Sequence, residues 1–104
     1  MSEPASAALL AARRVARMRT LLQADLTPLE LVIEDESHRH VGHAGARDGR
    51  GHFRVRVVAD AFAGLPLLAR HRRVYAALGD MLQTDIHALA IDARTPQEAS
   101  GDAT

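Results

Sequence analysis

The sequence predicts an α+β fold (α/β in the broad sense): a three-stranded mixed sheet with helices packed on one face, in the order α-β-β-α-β. Three observations predict it. Apolar residues recur at helical spacing in two stretches, and two other stretches alternate apolar and charged residues with a period of two. A helix then separates the second strand from the third, a connection that makes those strands parallel neighbours when they are adjacent in one sheet. The 104 residues fit one domain, 1–104, large enough to hold a core without disulfides or a structural metal.

Each element follows from local pattern. From Pro4 onward, Ala8, Ala11, Val15, Met18 and Leu22 recur at three- and four-residue steps, which marks the buried face of a helix. That helix ends near Asp25, because Leu26-Thr27-Pro28 places a proline where the next turn would have to form. In Leu29–Glu34, alternation puts Leu29, Leu31 and Ile33 on one side and Glu30 and Glu34 on the other, the signature of a half-buried strand. A second strand covers His52–Val58, with Phe53, Val55 and Val57 facing in and Arg54 and Arg56 facing out. Paired as a hairpin, outward glutamates meet outward arginines, each pair contributing about 0.2–1 kcal/mol.

Between the two strands, Ser37 to Gly51 has no apolar period and reads as a long loop carrying His38, His40 and His43. Ala61 to Pro66 is turn chemistry. Val74, Leu78, Met81 and Leu82 then mark a second main helix from about Leu68 to Gln83, with Gly79 inside it but off the buried stripe. A last strand runs from Ile86 to Asp92. Thr95 as N-cap and Pro96 at the first helical position start a short final turn, and Ser100 to Thr104 are expected to fray.

Thirteen arginines balance thirteen acids, so no global positive field draws the chain to nucleic acid. Lysine is absent and alanine occurs twenty times, a compositional bias to which the arginine count is assigned. Without cysteine there is neither thiol nucleophile nor thiolate ligand, and any metal must be held by histidine or carboxylate. No apolar run approaches the roughly 18 residues of a membrane span, and the arginine- and alanine-rich start is better explained by a helix stripe than by a transit segment. A cytoplasmic protein with no membrane partner is expected.

Six histidines are the chemically distinctive feature, since imidazole titrates near neutrality and ligates metals. His71 precedes Val74 and Leu78 by three and seven residues and is expected to be a packed structural histidine. His52 shares the face of Arg54 and Arg56 and is expected to be partly exposed. By alternation, His87 falls on the side of Leu89 and Ile91 at the start of the last strand. A loop histidine and His87 can converge at the sheet rim, supplying two imidazoles and leaving the rest of a coordination sphere to a partner. Neither zinc-finger spacing nor an HExxH pair is present.

No nucleophile elbow, P-loop or dinucleotide fingerprint occurs, and Glu34-Asp35-Glu36 alternates sides along a strand end, so no enzyme is expected. Arg70-His71-Arg72-Arg73 is the one concentrated cationic run. Arg70, Arg72 and Arg73 are the candidates for phosphate contact, with Arg72 and Arg73 placed away from Val74 and Leu78 on the helical wheel.

The ordered set Leu29-Glu30-Leu31, Glu36-Ser37-x-x-His40, His52-Phe53-x-Val55, Phe62-x-Gly64, Arg70-His71-Arg72-x-Val74, Leu78 and His87-Ala88-Leu89 closely resembles the BolA family over roughly Val15 to Glu98. The resemblance implies that family's α-β-β-α-β fold, similar to class II KH domains. It also implies a cytosolic partner of monothiol glutaredoxins that shares a bridged [2Fe-2S] cluster in iron–sulfur trafficking or iron signalling, with glutathione completing the ligand set and no cofactor on the chain alone. By resemblance, His87 is one metal ligand and His40 the loop ligand, with His38 and His43 as alternatives. Where members commonly carry Gly-Ser-Glu-Ser/Thr-His-Phe, this chain has Arg47-Asp48-Gly49-Arg50-Gly51-His52-Phe53. The family is also described as containing transcriptional regulators, which makes DNA binding through Arg70, Arg72 and Arg73 the alternative expectation.

Overall fold

The computed structural model describes residues 3–37 and 49–102. Helix α1 is Glu3–Leu26, strand β1 Glu30–Asp35, strand β2 Gly51–Val58, helix α2 Leu67–Leu78, the one-turn helix α3 Met81–Thr84, strand β3 Ile86–Arg94 and helix α4 Pro96–Asp102. The strands form one sheet in the order β1-β2-β3, with β1 antiparallel to β2 and β2 parallel to β3. The mixed α+β architecture is therefore the predicted one.

Helix α1 stops where Pro28 bars another turn. Thr27 takes a left-handed conformation (φ +40°), and its N–H closes the helix on the Gln23 carbonyl at 3.1 Å. Met18, Leu22 and Leu26 of α1 pack with Phe53, Val55 and Val57 of β2, Val74 and Leu78 of α2, and Phe62, Met81 and Ile86. Burying each such side chain stabilises the fold by about 1.5–3 kcal/mol relative to exposure. The other face of the sheet carries ion pairs. Arg54 pairs with Glu36 at 3.1 Å, while Arg56 bridges Glu30 and Asp92, each at 3.2 Å. The expected glutamate–arginine pairing is diagonal: Glu34 lies directly opposite Arg54 in the register, yet Arg54 reaches Glu36.

Three local expectations change. The second main helix is not continuous: Gly79 has φ +56° and donates its N–H to the Tyr75 carbonyl at 3.0 Å, ending α2, and α3 then carries fully buried Met81 into the core. That backbone conformation suits glycine and few other residues, so Gly79 is a break rather than a tolerated interior residue. Leu29 precedes β1 and is 70% exposed, although its N–H bonds the Val58 carbonyl at 2.8 Å. Helix α4 continues through Ser100 to Asp102 where fraying was expected. Its start is a capping box: Glu98 N–H donates to Thr95 Oγ1 at 3.2 Å, and Thr95 N–H donates to Glu98 Oε1 at 2.9 Å.

Candidate functional site

His87 owes its position to an irregularity in the parallel pair β2–β3. Gly51 stands opposite Ile86 and His52 opposite Ala88, so β3 advances two residues while β2 advances one, and His87 is the extra residue of a bulge. Simple alternation expected His87 to point with Leu89 and Ile91. The bulge gives that inward place to Ile86, which is buried, and leaves His87 exposed at the rim.

The ring of His52 lies 5.2 Å from that of His87, centroid to centroid, tilted by 55°. His52 is buried, contrary to the expected partial exposure. The chain leaving β1 runs alongside it: Glu36 N–H donates to the His52 carbonyl at 2.7 Å, and His52 N–H donates to Ser37 Oγ at 3.0 Å. Gly51 is also packed tightly. A Cβ there would approach the Phe53 ring to 2.7 Å and Ser37 Oγ to 2.8 Å, both too close without displacement.

The second stem of the histidine loop is tied to the same corner. Gly51 N–H bonds the Asp85 carbonyl at 2.8 Å. Arg14 of α1 donates to Asp85 Oδ2 at 3.1 Å and to the Gly49 carbonyl at 2.7 Å. A hydrogen bond from the Thr84 hydroxyl, aided by Arg14, holds the Asp85 carboxyl below its ordinary range against the opposing effect of burial. Arg50 donates Nη1–H to the Leu82 carbonyl at 3.3 Å and Nη2–H to His87 Nδ1 at 3.1 Å. A cleft of about 470 Å³ opens between α1 and these stems, lined by Ala8, Ala11, Arg14, Ser37, Arg50 and His52. His38, His40 and His43 lie outside the described residues. Among the described residues no three histidine or carboxylate groups gather as a metal site.

The cationic candidates divide. Arg70 is buried: its Nε–H donates to the Leu65 carbonyl at 2.8 Å, its Nη1–H to the Ala93 carbonyl at 3.1 Å, and both Nη groups to Glu98 at 2.6 and 3.0 Å. Lying four residues before Val74, it shares the buried stripe of α2, so it clamps α2 to β3 and α4 and leaves the phosphate-accessible face. The Glu98 hydrogen bond raises the Arg70 pKa, while the Arg70 hydrogen bond and the Thr95 N–H hold the Glu98 carboxyl down to about 2. Arg72 is exposed, whereas Arg73 is half-buried with Asp25 of α1 at 3.9 Å. His71 is half-buried on a groove between α2, β3 and α4.

Sequence reasoning placed His87 at the right end of the strand but missed His52 as its neighbour. The only available signal was their common position at the starts of strands that become paired. Among the described residues no helix is long and apolar enough to cross a membrane.

The family model described as BolA-like protein matches residues 22–98. The chloroplastic protein BOLA1 of Arabidopsis thaliana is 48% identical over 89 residues, 83% of this chain and 56% of that protein, so the chain spans only about half of that relative's length. The DNA-binding transcriptional regulator BolA of Escherichia coli K12 is 40% identical over 85 residues, 82% of this chain and 78% of that protein. Among solved structures, the BolA domain of SufE1 from Arabidopsis thaliana superposes with a TM-score of 0.73 at 45% identity, covering 82% of this chain and 94% of that one.

Proposed function

Because this chain belongs to the BolA family, we propose that it is a non-enzymatic, cytoplasmic adaptor that joins a monothiol glutaredoxin and shares with it a bridged [2Fe-2S] cluster, in iron–sulfur trafficking or iron signalling. The observation that carries the reading is His87 on the bulge of β3, exposed at the corner where both described stems of the three-histidine loop are anchored. The donor chemistry fits half a cluster site. The chain has no cysteine and so offers no thiolate, but two imidazoles can replace two thiolates on one iron, as in Rieske centres. His87 and one of His40, His38 or His43 are the proposed ligands on this side, while the glutaredoxin cysteine and glutathione supply the sulfur. A shared cluster of this kind contributes electron-accepting iron and makes the complex depend on cluster supply. The chain's own part is to present His87 rigidly, through the parallel pairing of β3 with β2, and to hold the loop stems beside it.

The test is anaerobic co-purification with a monothiol glutaredoxin during cluster reconstitution. The expected product is a coloured heterodimer whose visible circular dichroism changes in His87→Ala. An identical spectrum and an unaltered complex in that variant reject the reading.

A second reading, a DNA-binding regulator, is favoured by the name of the Escherichia coli relative and by exposed Arg72. With Arg70 committed to Glu98, it depends on Arg72 and Arg73. It predicts duplex binding that weakens with salt and on loss of either arginine, and an absence of binding at low salt removes it.

A further inference from the structure

Arg50 bears directly on how His87 can act. A guanidinium has hydrogen-bond donors only and keeps its proton at any physiological pH. The contact of Arg50 Nη2 with His87 Nδ1 at 3.1 Å therefore requires Nδ1 to present its lone pair, and a neutral ring then carries its proton on Nε2. The arginine is not a loosely placed surface group, because its Nη1 is held by the Leu82 carbonyl at the end of the same guanidinium.

A metal ion needs an imidazole lone pair. At Nδ1 that lone pair already accepts the Arg50 hydrogen. At Nε2 a lone pair appears only when the ring proton moves to Nδ1, which would set two N–H groups against each other across 3.1 Å. Ligation through either nitrogen therefore requires the guanidinium to withdraw. Through Nδ1, the Arg50 hydrogen bond passes to water and the proton stays on Nε2. Through Nε2, the proton crosses to Nδ1 once Arg50 has left.

We infer that Arg50 is an internal competitor for His87, keeping the uncomplexed chain in a non-ligating state that must open before His87 can take a metal ion. This rests on the reading of His87 as a ligand and adds a requirement to it: whatever docks at this corner has to displace or recruit Arg50.

The test uses the full chain without any partner. In ring-nitrogen NMR of the metal-free protein at alkaline pH, His87 Nδ1 is expected to resonate as a hydrogen-bonded acceptor and to move downfield in Arg50→Ala. In calorimetry with Ni²⁺ as the probe, Arg50→Ala is expected to tighten binding about 2- to 10-fold, the worth of one exchanged hydrogen bond. The gain must persist in 1 M NaCl, where charges are screened within about 3 Å, and must vanish on a His87→Ala background. An unmoved Nδ1 resonance overturns the inference. So does unchanged or weaker Ni²⁺ binding, a gain confined to low salt, or a gain that survives without His87. Because no glutaredoxin is present, failure here leaves the heterodimer test standing, and failure of the heterodimer leaves this one readable.

Discussion

Arg70 shows how one residue can carry two conflicting signals. Its chemistry says surface, while its spacing four residues before Val74 says interior, and the interior position holds because three acceptors meet it there: the Leu65 and Ala93 carbonyls and Glu98. Parts of that arrangement are local: the Leu65 carbonyl lies five residues before Arg70. Glu98 three residues after Thr95 is a visible capping box, but the Arg70–Glu98 pair spans 28 residues and exists only once α4 folds back on α2. The pair also sets a pH dependence. Glu98 is depressed from 4.5 to about 2, so between those values the unfolded chain binds a proton that the folded chain refuses, and stability rises with pH across the window. Its contribution is complete above 4.5 and is lost as pH falls through about 2. Denaturant midpoints of the wild type and Glu98→Gln, measured from neutral to strongly acid pH, should therefore converge on acidification. A gap that stays constant contradicts the assignment.

At the scale of elements, boundaries and irregularities were harder to read than the elements themselves. The stripe Val74, Leu78, Met81, Leu82 looks continuous on a helical wheel, which predicts an interior glycine at Gly79. In the structure it turns the chain, and Met81 reaches the core from a separate turn. A Cβ at Gly79 meets no atom within 4 Å, so the cost of alanine there is conformational and not steric crowding. Gly79→Ala is expected to destabilise the protein by about 1–2 kcal/mol in chemical denaturation. A neutral effect would mean that α2 and α3 can merge. The bulge at His87 was equally illegible. Period-two alternation in Ile86–Asp92 offers two frames, and the frame changes after Ile86, where Gly51 and His52 of β2 stand opposite Ile86 and Ala88, a register that depends on the partner strand. Fold class and strand pairing were legible because they follow from periodicity, which is local. The candidate site was legible only in part, since His87 could be singled out while His52, Arg50 and the loop stems beside it are brought together by register.

For the whole molecule, stability is concentrated on one face of the sheet. Leu22 is fully buried between α1 and β2, so Leu22→Ala is expected to cost about 2–5 kcal/mol. Arg56, at the centre of the ion pairs on the open face, is partly exposed, and Arg56→Ala should cost less than about 1 kcal/mol. Comparable losses in the two variants would contradict this division between core and surface. The amino-acid order by itself determined the fold class, the places of the main helices and strands and the absence of cysteine, because spacing and residue type express the burial and hydrogen-bonding needs of nearby backbone. Only the tertiary structure decided that Arg70 is an internal clamp, that the chain breaks at Gly79, and that His87 meets His52 and Arg50 at the rim. Those outcomes depend on which distant groups arrive to accept a hydrogen bond or fill a space, and neighbours in sequence do not supply that information.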